Sequence, residues 1–423
     1  MGATIKNILA QEILSSDGSP TIEATVTLDN GITAVASVPF GISAGVHEAK
    51  MILDNDPQRY NGKGMLKSCN NVNNIIAPKL KGSVVTNQKR IDKIMIDLDG
   101  TKNKSKLGGN SILAVSLACA RAASLAKGLP LYKYIRQYYK IPHKKWILPK
   151  PMMVVIEGGK HADQSTDFQE YLMSVLGAPN IREAVRWGEE TYQSLKIILN
   201  ARGLNTNVGN EGAFAPGGII SNEEPLSIIV EAIEKAGFEP GRDIAISLDP
   251  ATSELYDAKE GTYILKRESA QLSSSQMVGL FKSWLTKYPI ISIEDALAED
   301  DWEGWQALYR ELGDKVRIVG DDLTVTSKER VKKAIDRQAI NAVLIKLNQI
   351  GTLTETVETI ALGQEHNFWQ IVSHRGGGET NDTFLVDLAV AVNAEYIKVG
   401  PTRGERTAKY NRLMAIESEL KLK

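Results

Sequence analysis

The chain has 423 residues, with 50 Lys+Arg against 51 Asp+Glu and a net charge of −1. Hydrophobic residues make up 43% and charged residues 24%, the balance of a globular protein long enough for two cores. The near-neutral charge excludes a broad basic footprint for nucleic acid or an acidic membrane. Two cysteines, Cys69 and Cys119, exclude a disulfide framework or a zinc spacing and read as buried hydrophobes.

Residues 3–38 alternate apolar and polar with a period of two. Asn30-Gly31 separates Thr25-Val-Thr-Leu28 from Ile32-Thr-Ala-Val35, which predicts a hairpin with a type I′ turn. Helical spacing follows over 64–81, 87–98 and 109–127, and the last, apolar on most faces, is predicted to be buried. Ser111–Arg121 meets a charge too early to span a bilayer. Met1-Gly-Ala-Thr-Ile-Lys-Asn carries no signal-type stretch, so a cytoplasmic protein is expected. From 136 to 151 the chain is basic and broken by prolines, which reads as a solvated linker. The expectation is therefore an α+β capping domain over 1–144 and a second domain over 145–423.

In the second domain, six apolar runs end on residues that can carry chemistry. They are Ile244–Asp249, Ile290–Glu294, Val316–Asp321, Ala342–Lys346, Phe368–His374 with Arg375, and Glu395–Lys398. From Glu294 onward the endpoints lie 24–28 residues apart, one strand-plus-helix unit of a parallel α/β protein. Helical spacing over 224–236, 274–287, 328–338, 352–364 and 404–419 fits between them, and about 280 residues suit a (β/α)8 barrel. In such a barrel the strand ends converge on one face.

Asp249, Glu294 and Asp321 would then share one rim. A single carboxylate at a strand end more often caps a helix, but three together repel unless a cation sits among them, and all-oxygen donors suit Mg2+. Lys346 and Lys398 end later strands; crowded by metal and by each other, they are expected to lose their ammonium forms and serve as bases. His374-Arg375 adds a proton relay and a fork for phosphate or carboxylate. Upstream, Gly158-Gly-Lys-His161, Asp167-Phe-Gln-Glu170, Asn207-Val-Gly-Asn-Glu211-Gly and Val38-Pro-Phe-Gly-Ile-Ser43-Ala-Gly45 are glycine-flanked polar segments.

These residues resemble the enolase family, the phosphopyruvate hydratases of glycolysis. The likeness runs from Glu12-Ile-Leu and Pro20-Thr-Ile-Glu23, through Asn71-Val-Asn-Asn-Ile-Ile-Ala-Pro78, Asn103-Lys-Ser-Lys-Leu107, Ala298-Glu-Asp-Asp-Trp302 and Asn348-Gln-Ile-Gly-Thr-Leu353, to Ala408-Lys-Tyr-Asn411. It implies an α/β chain with an enolase-type (β/α)8 TIM-like barrel behind an N-terminal α+β domain, and reversible dehydration of 2-phosphoglycerate to phosphoenolpyruvate. It implies two Mg2+ per active site, one on Asp249, Glu294 and Asp321, the second arriving with substrate and held in part by Ser43. Lys346 would be the base at C2 and Glu211 the acid at the C3 hydroxyl, with Glu170 and His374 assisting. His161, Gln169, Glu170, Lys346, Arg375 and Lys398 would bind substrate. A Lys or His base with Mg2+ is the pattern known for the superfamily as a whole. The resemblance further implies a phosphorylated small-molecule substrate, a homodimer or higher homo-oligomer, no nucleic-acid or membrane partner, and a cytoplasmic enzyme with a secondary cell-surface or secreted pool.

The chain departs from the family at the rim. Phe40-Gly-Ile-Ser-Ala-Gly45 stands where the family reads Ser-Gly-Ala-Ser-Thr-Gly, and Asn210-Glu-Gly-Ala213 replaces Asp-Glu-Gly-Gly. Gly376-Gly-Gly378 stands where a phosphate-binding serine is usual. These glycines predict a looser loop and weaker substrate binding. The alternatives are another superfamily dehydratase or cycloisomerase, against which no Lys-x-Lys occurs between 150 and 249, or a weakly active enolase-like scaffold protein.

Overall fold

The computed structural model describes residues 2–41 and 45–421. Its first sheet has three antiparallel strands, Ile5–Leu14, Pro20–Leu28 and Thr33–Ser37, in sequential order. On the middle strand Ile22, Ala24, Val26 and Leu28 are fully buried, and the sheet packs on the helix Gly109–Ala126. The hairpin is where the sequence puts it, but its turn differs. Gly31 N–H donates to Leu28 O and Leu28 N–H to Ile32 O, closing a three-residue loop in which only Gly31 has positive φ. That is a type I turn with a glycine bulge rather than a type I′ turn.

Helices occupy Leu66–Leu80, with a π-helical middle, and Gln88–Asp99, as the spacing predicts. Gly109–Ala126 is long and apolar enough to cross a membrane, yet 83% of it is buried inside the protein, and its Arg121 pairs with Asp382 at 2.7 Å. Both cysteines are free and buried.

The basic stretch that reads as a solvated linker is partly core. Arg136, at the end of the helix Leu131–Tyr138, is buried and donates to the carbonyls of Val390, Ala391 and Lys145. Its guanidinium lies over the Trp146 ring at 3.4 Å. A planar cation can be buried this way when carbonyls and an aromatic face replace its water, so the arginine ties the first domain to the barrel helix Phe384–Val392.

The barrel is closed and has eight strands: Lys150–Glu157, Glu170–Val175, Ile244–Asp249, Ile290–Glu294, Arg317–Gly320, Ala342–Ile345, Trp369–Ser373 and Tyr396–Val399. Each of the six apolar runs forms a strand within a residue or two of its predicted limits. The barrel is irregular, because Glu170–Val175 runs antiparallel to both neighbours. Only 12 residues separate it from Lys150–Glu157, holding one short 3-10 turn at Gly159–His161, too little for a crossover helix. The reversal matters for the site. It is the start of this strand, not its end, that reaches the face where Glu157 and Asp249 lie, and Glu170 pairs in register with both.

Helices cover the barrel, and their starts carry local signals. Asn180 accepts the Glu183 N–H at the head of Ile181–Ala201, and Ser273 with Gln276 forms a reciprocal capping box before Ser274–Leu285. Gly377–Gly378 is not a loose loop. It pairs antiparallel with Phe40–Gly41, so the glycines dock the barrel rim on the first domain.

Candidate active site

The strand ends bring most of the expected residues to one cavity, lined by His161, Gln169, Glu170, Asp249, Asp321, Lys346, His374 and Lys398 among others. Glu294 and Glu211 are buried in direct contact with this set. Ser43 lies outside the described residues. Arg375 sits at the edge of this set: its guanidinium makes two 2.9 Å hydrogen bonds to the Glu48 carboxylate, beside Gly41 of the first domain, and its charge acts on Asp321, Asp322 and Lys346.

Lys398 sits at the centre of a buried acid cluster. Its Nζ is 2.9 Å from Asp249 Oδ2, 2.7 Å from Glu294 Oε1 and 2.7 Å from Glu170 Oε2. Lys346 pairs with Asp321, and Gln349 donates to the other oxygen of Asp321 at 2.7 Å. The expectation that both lysines shed their protons concerns the metal-loaded site; with the carboxylates alone as neighbours the balance runs the other way. Burial alone would lower their proton affinity, but Asp321 at Lys346, and Asp249, Glu170 and Glu294 at Lys398, outweigh it and hold both as ammonium ions.

Asp295 organises the next strand end. Its two oxygens accept the N–H groups of Asp321 at 3.0 Å and Asp322 at 2.9 Å, and Asp295, Asp321 and Asp322 offer oxygens within 4.8 Å of one another. Thr326, in a left-handed conformation uncommon for a β-branched residue, accepts the Lys346 N–H at 2.9 Å and donates to Gln349 at 2.7 Å. The strained turn thus fixes Gln349, which in turn fixes Asp321.

Glu211 is flanked by two histidines that line the same cavity. His374 Nε2 lies 2.9 Å from one of its oxygens and His161 Nδ1 2.8 Å from the other. Burial would favour the neutral acid, but the histidines prevail and keep Glu211 ionised. For His161, burial opposes the charge, and the Glu211 and Glu170 carboxylates raise its pKa to about 9, so this pair carries its proton on the imidazole. Burial and the neighbouring Glu211 charge push Glu170 up to about 8.

Eight carboxyl groups (Glu157, Glu170, Glu211, Asp249, Glu294, Asp295, Asp321 and Asp322) meet only two lysines here. Such a concentration of buried hard oxygen donors fits a divalent cation. The sequence pattern does not single out Glu48, Glu157, Asp295, Asp322 or Gln349. Glu157 was legible, because it ends the apolar run Met152-Met-Val-Val-Ile just as Asp249 and Glu294 end theirs. Glu48 had no local signal at all.

The barrel region matches the enolase C-terminal TIM barrel domain over residues 145–423, and residues 5–135 match the enolase N-terminal domain. The chain belongs to the enolase family. Enolases are lyases that typically use Mg2+, and the acidic groups described here could hold it. If they do, Asp295→Ala leaves the N–H groups of Asp321 and Asp322 without their acceptor. Mg2+ affinity measured by calorimetry is then expected to fall about 10–100-fold.

The structure gives Gly376 a second reading in this enolase-family chain, beside that of a missing phosphate contact. A Cβ on Gly376 would lie 2.5 Å from Glu211 Oε1 and 2.5 Å from His161 Cε1. Glycine is there because the Glu211–His161 pair fills the space where a side chain would start. Gly376→Ser is therefore expected to lower kcat about 10²-fold by displacing that pair, where a missing hydroxyl would predict a lower KM.

Proposed function

We propose that this enolase-family protein carries out the reversible dehydration of 2-phosphoglycerate to phosphoenolpyruvate, the step shared by glycolysis and gluconeogenesis. The observation that carries the reading is that Lys346, beside Asp321, lines the same cavity as His161 and His374, the two histidines that flank the buried Glu211. β-Elimination needs this pairing: a base at the carbon acid and an acid at the departing hydroxide.

Asp249, Glu294 and Asp321 would hold one Mg2+. Bound there, Mg2+ supplies positive charge that offsets the charge developing on the substrate carboxylate and competes with Lys346 for Asp321. With Asp321 turned toward that positive charge, the Lys346 ammonium would release its own proton to solvent, and the neutral amine would then take the C2 proton. The His161–Glu211 pair holds the proton that leaves with the C3 hydroxyl, and His374 fixes the other oxygen of the Glu211 carboxyl. Lys398 stays an ammonium ion and faces the negative charge of the substrate. Arg375 offers a fork for phosphate once it exchanges Glu48 for the ligand. A second Mg2+ at Ser43, a homodimer and a cytoplasmic location complete the proposal.

The alternative within the superfamily is an acid-sugar dehydratase or cycloisomerase, which needs no phosphate site. Proton NMR of the protein with 2-phosphoglycerate and, separately, with unphosphorylated sugar acids separates the two. Phosphoenolpyruvate signals from the first substrate alone support the proposal, and conversion of a sugar acid alone overturns it.

A further inference from the structure

Glu211 is the proposed acid, yet a second carboxyl lies against its backbone with no part in that chemistry. Glu157 ends the first barrel strand, has no solvent exposure, and stands opposite Glu170 in register. Its Oε1 accepts the backbone N–H of Glu211 and that of Ala213, each at 3.2 Å, while Oε2 is 3.4 Å from the Glu211 nitrogen.

The loop is wrapped around this one group. Gly209 N–H donates to Ala213 O at 3.0 Å and Gly212 N–H to Gly209 O at 3.3 Å, making a closed turn. A Cβ at Gly209 would lie 2.4 Å from the carboxyl carbon of Glu157, so only glycine lets the chain approach so closely. Glu157 N–H donates to Phe214 O at 2.9 Å and Phe214 N–H to Val155 O at 3.0 Å, which joins the strand to the end of the loop. The loop's carbonyls are held from other elements: Arg403 donates to Gly209 O and Asn210 O, and Tyr192 and Thr402 donate to Gly212 O. The amide of Glu211 itself points to Glu157.

We infer that Glu157 is a positioning residue for Glu211, fixing its carboxyl by accepting the N–H groups of the loop that carries it. The inference rests on the dehydratase reading above. The shorter contacts of both N–H groups converge on Oε1, and Oε2 takes only the longer 3.4 Å one from Glu211, so Oε2 is the oxygen better able to carry a proton. Burial and the Glu211 charge do push Glu157 up to about 8. A glutamine amide has the same acceptor in the same place and should serve as well, whereas alanine removes it.

The experiment compares the parent, Glu157→Gln and Glu157→Ala with 2-phosphoglycerate. It measures kcat, KM and exchange of the C2 proton with deuterated solvent. Glu157→Gln is expected to stay within about three-fold of the parent in kcat, and Glu157→Ala to lose about 10–100-fold with KM changed less than about three-fold. Exchange, which belongs to Lys346, is expected to persist in both. Equal loss of exchange and turnover in Glu157→Ala, or unchanged turnover, overturns the inference. If the alanine variant does not fold, the glutamine variant decides: retained activity supports the role, and a loss as deep as that of Glu211→Gln overturns it. A parent that neither exchanges nor dehydrates removes the dehydratase reading, and this inference with it.

Discussion

Lys346→Ala is expected to lose turnover by about 10²–10⁴-fold, the range for removing a general base, and to lose solvent exchange of the C2 proton to the same extent. The proton is weakly acidic because its carbon already bears a carboxylate, so nothing else in the cavity removes it. Lys398 keeps Glu170, which lies outside the proposed metal set, 2.7 Å from its ammonium group, and that carboxyl strengthens its hold on the proton. Lys346 has fewer acids to leave: Asp321 is its one close partner, and Gln349 is already in place to bond the other Asp321 oxygen. Deuterium incorporation followed by NMR, beside turnover, checks the result. Exchange at the parental rate in Lys346→Ala would assign the base to another group.

Glu211→Gln should separate the two halves of the reaction. The amide keeps the shape of the side chain but cannot pass a proton from His161 to the leaving hydroxide. Dehydration is expected to fall about 10²–10⁴-fold while exchange at C2 continues. The variant also leaves His161 and His374 without the negative charge that binds them. His161 owes its raised proton affinity chiefly to that charge, so its NMR titration should move from about 9 toward or below the ordinary histidine range. A parallel loss of exchange and dehydration would contradict the division of labour between Lys346 and Glu211.

The rim was legible because burial on both faces turns each barrel strand into a continuous apolar run, and the first charged residue after such a run has to lie at its mouth. Asp249, Glu294, Asp321, Lys346, His374 and Lys398 all obey that rule, and Glu157 obeys it too. Strand direction was not legible for the same reason: a run apolar on both faces looks alike in either sense. The reversed strand left no mark of its direction in its own residues, and it explains how Glu170, at a strand start, meets Asp249, at a strand end.

Contacts made across the chain left no local trace. Arg136 looks like part of a solvated charge run until the carbonyls of Val390 and Ala391 reach it from more than 250 residues away. Gly376 looks like an absent serine until the His161–Glu211 pair is seen to occupy its Cβ position. Val325 and Thr326 take positive φ against their own preference, a strain that positions Gln349 and that no propensity could foresee.

The central claim is that one cavity joins a lysine base, a histidine-clamped acid and a metal-binding set of carboxylates for dehydration of 2-phosphoglycerate. Ultraviolet absorbance of the purified protein with 2-phosphoglycerate, followed as the enol double bond of phosphoenolpyruvate forms, tests it most directly. The account predicts a steady rise with Mg2+ present, none in excess chelator, and recovery when Mg2+ is restored. No rise under any metal condition, or a rise undiminished by chelator, would contradict it.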